Sequence, residues 1–216
     1  MRIEPPPPWK PPRPFPVPLQ TARLTLRPWH PADAHNLWQA IDESRSSLIP
    51  WMPWAASGHR DPEDTLEWID SALRSWNAPE PHDFFLGLHD RASGRVVGGT
   101  SLHQVLAELA QAEIGYWVRE DERGRGLCTE AVRALVTSGF RDWGLRRLVL
   151  TCAASNAASA RVALKAGLTL EARHATSRWV EGQGYDDELG FAVLADEWDV
   201  AAAAPRPGLP AARRLL

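Results

Sequence analysis

The segment that most constrains this chain is a strand, a glycine-rich turn and a helix placed end to end. Ile114 to Val118 is an apolar run. Arg123-Gly124-Arg125-Gly126-Leu127-Cys128-Thr129 follows it, and then Cys128, Ala131, Val132, Leu135, Val136 and Phe140 recur at helical spacing on one face. Glycines let successive backbone N–H groups turn inward with no Cβ in the way. The helix adds its own unpaired N–H groups and the positive end of its dipole, so an anion, and a phosphate above all, is the natural occupant. Two common phosphate loops are excluded by the letters. No Lys follows either glycine as a P-loop requires, and no third glycine follows Gly126 toward the helix as the dinucleotide fingerprint expects.

The rest of the chain reads as a mixed α/β domain. Arg23 to Arg27 alternates with period two and predicts a first strand. Pro31-Ala32-Asp33 opens a helix whose inner face holds Ala34, Leu37, Trp38 and Ile41. The prolines of Ser47 to Gly58 predict an irregular stretch. Asp61-Pro62-Glu63 starts a second helix, expected to bury Leu66, Ile69, Leu73 and Trp76. Strands are expected at Phe84 to His89, Arg95 to His103 and Ala112 to Val118. Leu148 to Leu150 predicts a central strand covered on both faces. Ser155 to Ala166 predicts a helix with Ala160, Ala163 and Leu164 inward and Gly167 as its stop. Leu168 to Val180 and Glu188 to Leu194 close the sheet around Gly182-Gln183-Gly184. The fold class is therefore a mixed, mostly antiparallel central sheet with flanking helices. Residues 1–20 form a Pro-rich arm, 21–200 the domain, and 201–216 a mobile tail.

At 216 residues with 44% hydrophobic content, one domain has ample core. A net charge of −3 gives no electrostatic case for nucleic acid or an anionic membrane. Cys128 and Cys152 make neither a disulfide framework nor a metal-spacing pattern, and no metal is expected. The start of the chain lacks the apolar stretch of a signal peptide, so the cytoplasm is the expected location.

Arg123, Gly126 and the small Cys128 resemble the pyrophosphate loop of the GNAT superfamily of N-acetyltransferases, R/Q-x-x-G-x-G/A. Asn156, Ser159, Arg161 and Gly167-Leu168 resemble the N-x-x-S-x-R…GF segment of its RimJ/RimL type of ribosomal-protein acetyltransferase, and Ala112 to Trp117 resembles that type's AEIGYW strand. The resemblance covers about Thr21 to Trp198 and implies the GNAT-like acyl-CoA N-acyltransferase fold, with acetyl-CoA as co-substrate. It implies cofactor contacts at Trp117, Val118, Arg123, Gly124, Arg125, Gly126, Cys128, Thr129, Asn156 and Ser159. Many GNAT enzymes carry an acid Tyr seven residues after that Asn; Ala163 stands there, so the resemblance passes the thiolate's proton to Ser159. Glu113 is the carboxylate placed to polarise a water as base. Asn156 is equally suited to a plain helix cap.

Trp51 and Trp54, held by Pro50 and Pro53, resemble the loop bordering the acceptor groove, with Trp51 expected toward the amine and Trp54 inward. A protein α-amine, with a pKa near ~8, needs far less help to lose its proton than a lysine near ~10.4. A site with no strong base therefore favours a protein N-terminus. A small-amine or antibiotic acetyltransferase and a non-catalytic acyl-CoA-binding protein stand as alternatives, and a homodimer is left open.

Overall fold

The computed structural model describes residues 7–198. The expected mobile tail and the first six residues of the arm lie outside them. Eight strands form one sheet in the order β1-β2-β3-β4-β5-β6-β8-β7. They are β1 (Leu19–Gln20), β2 (Leu24–Pro28), β3 (Phe84–Asp90), β4 (Val96–Leu106), β5 (Gln111–Val118), β6 (Arg147–Ala153), β7 (Thr169–Val180) and β8 (Gly184–Leu194). Every neighbouring pair is antiparallel except β5 and β6. The helices are α1 (Ala34–Asp42), α2 (Arg45–Leu48), α3 (Trp54–Ser57), α4 (Pro62–Trp76), α5 (Leu127–Arg141) and α6 (Ala157–Ala166).

The one parallel pair positions the site. β5 and β6 are in register only through Gln111↔Arg147, Ala112↔Leu148 and Glu113↔Val149, whereas β5 stays paired with β4 up to Val118. Beyond Glu113 the two strands splay, and the β5 backbone from Ile114 onward loses its neighbour on that side. Strand alternation then divides the side chains between the faces. Ile114 joins the large core formed with α5 and α6. On the other face α1 and α4 pack through Leu37, Ile41 and Ile69 around Trp29 and Val96.

Several expectations need correction. The Pro-broken stretch holds two four-residue helical turns, α2 and α3. Proline at the start of α3 is no obstacle, because the first N–H groups of a helix need no intrahelical partner. Leu66 is 37% exposed and Leu164 43%. The buried stripe of α4 runs Thr65, Ile69, Ala72, Trp76 and that of α6 runs Ala163, Ala166, which turns both leucines off the inner face. Leu148 and Leu150 are buried, but Val149 is half-buried, since its face opens where β5 and β6 part. β8 begins at Gly184 and not at Glu188, and β1 adds a strand the alternation did not reveal.

The described part of the Pro-rich arm is packed. Trp9 Nε1 donates to the Trp143 carbonyl at 2.7 Å, and Phe15 meets the Trp76 ring edge-on at 4.9 Å between centroids.

Candidate active site

The loop between β5 and α5 has the geometry the sequence implied. Gly124 and Gly126 take φ of 74° and 78°, a region that favours glycine. Among the described residues, the backbone N–H groups of Gly124, Arg125, Gly126, Leu127, Cys128 and Thr129 donate to nothing in the protein; the first helical bond comes from Glu130 to Gly126. Six successive free donors at the N-terminus of a 15-residue helix make a cradle for an anionic group. The loop is braced from below by Arg23, which donates to the Arg125 carbonyl at 2.8 Å and pairs with Glu130. From the side it is braced by Arg123, which donates to Ser47 Oγ at 2.9 Å, by Glu120 N–H on Ser44 Oγ at 3.0 Å, and by buried Arg119 on Glu43 and Asp121.

From this cradle a cavity of about 350 Å³ runs along the unpaired edge of β5 to α6. Trp117, Val118, Arg123, Gly124 and Gly126 line it, as do Cys128, Thr129, Asn156 and Ser159. Arg125 does not; its side chain is turned to Glu122. Arg161 and Lys165 add a basic pair one turn apart that sequence reasoning passed over, although their i,i+4 spacing behind Asn156 was visible. Asn156 Oδ1 caps α6 by accepting from Ser159 N–H at 3.0 Å. Burial pushes the Cys128 thiol up to about 12, so it is no nucleophile at neutral pH.

A second cavity, about 800 Å³, opens on the opposite face of the sheet. Trp51, Met52, Tyr116 and Trp117 line both, which makes them the junction. Trp54 lines the second cavity only and is 36% exposed, so it faces the groove and is not inward as expected. Its ring meets Trp117 edge-on at 6.2 Å and His59 at 5.7 Å. At the junction the Tyr116 hydroxyl lies 2.8 Å from Ser159 Oγ. Burial raises the Tyr116 phenol well above the usual tyrosine range, so it remains protonated and able to donate.

Asp64, Glu67 and Asp83 give the second cavity an acidic lining, with Arg178 the one guanidinium among its lining residues. The Arg60 guanidinium bound to Asp64 holds that carboxyl well below the usual range. His59 is buried and neutral: burial lowers its pKa to about 4. Thr65 Oγ1 donates to the Asp61 carbonyl at 2.9 Å and therefore accepts from His59 Nδ1–H at 3.2 Å. That assigns the His59 tautomer and leaves Nε2 as an acceptor. Arg45 holds this wall by donating to the carbonyls of Ala55, Gly58 and His59. Glu113 lines neither cavity; its Oε1 accepts from Thr151 Oγ1 at 2.7 Å. No helix of the described residues is long and apolar enough to cross a membrane.

Comparison with known proteins agrees with this geometry. A family model described as an acetyltransferase (GNAT) domain matches residues 23–169. The ribosomal-protein-serine acetyltransferase of Escherichia coli is 32% identical over 160 residues, 74% of this chain and 86% of the relative. The ribosomal protein uS5-alanine N-acetyltransferase of the same organism is 26% identical over 186 residues, 84% of this chain and 93% of the relative. Among solved structures, the RimL ribosomal L7/L12 α-N-protein acetyltransferase in complex with coenzyme A superposes with a TM-score of 0.75 at 22% identity, over 82% of this chain and 97% of that one.

Proposed function

The chain belongs to the GNAT acetyltransferase family, and we propose that the amine it acetylates is the α-amine of a protein N-terminus. The observation that carries this reading is the junction: a cavity headed by six free N–H donors meets an aromatic, acid-lined cavity at Trp51, Met52, Tyr116 and Trp117. A volume of about 800 Å³ suits one or two residues of a peptide end. The carboxylates favour a cationic ammonium over an anion. The two relatives that modify ribosomal proteins support the same substrate class.

Acetyl-CoA brings the acetyl group activated as a thioester. The residues present fit it: Gly124 to Thr129 would hold its pyrophosphate, Arg161 and Lys165 further phosphate charge, and the free edge of β5 its amide-bearing arm. Backbone donors on that edge would polarise the thioester carbonyl. Ser159, whose Oγ lies 2.8 Å from the Tyr116 hydroxyl, supplies the proton to the departing sulfur. Transfer is direct in a ternary complex, because no activated cysteine is at hand: Cys128 is held protonated, and the Cys152 thiol is also raised by burial.

The test is acetyl-CoA turnover against a panel of N-terminal peptides, lysine peptides and small amines, with the acetylated nitrogen located by mass spectrometry. Peptide α-amines should be the fastest acceptors. Faster turnover of a small amine would replace the proposed substrate, and acetyl-CoA binding without thiol release on any amine would make the chain a binder.

A further inference from the structure

We propose that His103, on the floor of the acceptor cavity, is the base that takes the proton from the attacking amine, an assignment that rests on the acetyl-transfer reading of the site. His103 projects from β4 on the cavity face, with its Nδ1 3.1 Å from Ser101 Oγ. Its cross-strand partner on β5 is Glu113, but the ring leans along the strand toward Gly115. A Cβ built on Gly115 would lie 3.0 Å from His103 Cε1 and 2.8 Å from Ser101 Oγ. Glycine at 115 is therefore what leaves the imidazole its room. The next residue along β5 is Tyr116, which lines both cavities, so the ring stands one residue from the junction.

The other titratable groups around this cavity are less suited, and Glu67, on α4, is solvent-exposed. His59 is held neutral by burial and its Nδ1–H is committed to Thr65, so it can accept a hydrogen bond but binds a proton poorly. Asp64 is neutralised by Arg60, and Asp83 accepts from Gln104 N–H. Glu113 is engaged by Thr151 outside the lining, yet it projects from the same face as His103. Arg178, which pairs with Glu188, is the one guanidinium among the cavity's lining residues.

The chemistry balances with these groups. In the tautomer that serves as base, Nδ1–H donates to Ser101 Oγ, 3.1 Å away, which leaves the Nε2 lone pair free. One proton passes from the acceptor ammonium to Nε2, freeing the nitrogen pair that forms the new C–N bond. The C–S bond breaks with its electrons going to sulfur, which takes the Ser159 hydroxyl proton, while the second proton of the newly acylated nitrogen passes through water to Ser159 Oγ and restores the hydroxyl. The imidazolium returns its proton to water.

The decisive variants are His103→Gln, which keeps a partner for Ser101, and His103→Ala, assayed with acetyl-CoA and an N-terminal peptide. For His103→Gln, kcat should fall about a hundredfold, with acetyl-CoA KM and Tm near wild type. Added imidazole should restore part of the His103→Ala rate. An acceptor of low pKa such as hydroxylamine, which arrives unprotonated, should lose far less. The assignment is overturned by an unchanged kcat in His103→Gln under conditions where chemistry limits, by an equal loss with hydroxylamine, or by Glu113→Gln reproducing the whole effect while His103→Gln does not. Failure of the underlying reading looks different: wild-type protein would bind acetyl-CoA and acetylate no amine, before any variant is compared.

Discussion

Tyr116 on β5 and Ser159 on α6 meet hydroxyl to hydroxyl at 2.8 Å, from opposite walls of the cofactor cavity. The phenol missing from α6, where Ala163 stands, is thus matched by one reaching the same helix from the neighbouring strand. A phenol kept protonated by burial can hold Ser159 Oγ as an acceptor, which leaves the serine proton free for the sulfur.

Ser159→Ala is therefore expected to lower kcat by about a hundredfold with little change in acetyl-CoA KM, and Tyr116→Phe by about tenfold. Because one residue acts through the other, the double variant should be no slower than Ser159→Ala alone. Steady-state kinetics on the three variants checks this, and strict additivity would separate the two roles.

Gly126→Asp should weaken acetyl-CoA binding by at least ~2 kcal/mol. A side chain at this φ of 78° strains the turn, and its Cβ would lie 3.7 Å from Arg23 Nη2, so the carboxylate would also draw on the guanidinium that braces the loop. Calorimetry on folded protein measures the loss; wild-type affinity would remove the pyrophosphate from this loop.

The two loop tryptophans should behave differently. Trp54 lines the acceptor cavity alone, so Trp54→Ala should raise the amine KM by roughly thirtyfold and leave acetyl-CoA untouched. Trp51 lines both cavities, so Trp51→Ala should raise both constants. Two-substrate kinetics distinguishes them, with thermal melts to establish that each variant is folded.

His59 predicts a pH effect of definite sign. Its folded pKa of about 4 lies below the ordinary 6.5, so between those values the unfolded chain binds the proton first. Stability should fall as pH drops from 6.5 toward 4, by about 3 kcal/mol from this group, and level off below. Denaturant titrations of wild type against His59→Phe across this window should show a flatter pH dependence in the variant; parallel curves would mean that His59 titrates normally.

The sequence exposed the cofactor side more fully than the acceptor side, for a physical reason. Arg123 to Thr129 is a local device: a positive-φ glycine and a helix start are written in adjacent letters. The acceptor cavity draws on β3, β4, β5 and α4 as well as the tryptophan loop, and only sheet register brings Phe85, Ser101 and Gly115 side by side. The position seven residues after Asn156 lies on the same helix, while the matching phenol comes from the neighbouring strand. Glu113 drew notice because it is the carboxylate on the motif strand, but splaying of β5 from β6 leaves it beside Thr151. Leu66 and Leu164 misled for a simpler reason, since apolar letters at the edge of a stripe do not fix which way it faces.

The three carbonyls gripped by Arg45 bear on how such a site could change its preferences. One guanidinium fastens the stretch from Ala55 to His59, while Ser44 and Ser47, on either side of it, fasten the chain to the cofactor loop. Residues 45–59 are thus a cassette closed on itself by Arg45, tied to the cofactor loop through Ser47 and to α4 through His59. Exchanging the letters from Pro53 to Ser57, beyond Trp51 and Met52 which line both cavities, would retailor the amine-binding wall and leave the donor cavity's lining unchanged, provided Ser44, Arg45 and Ser47 stay. New acceptor ranges could then arise by trading a handful of residues and not by rebuilding the sheet.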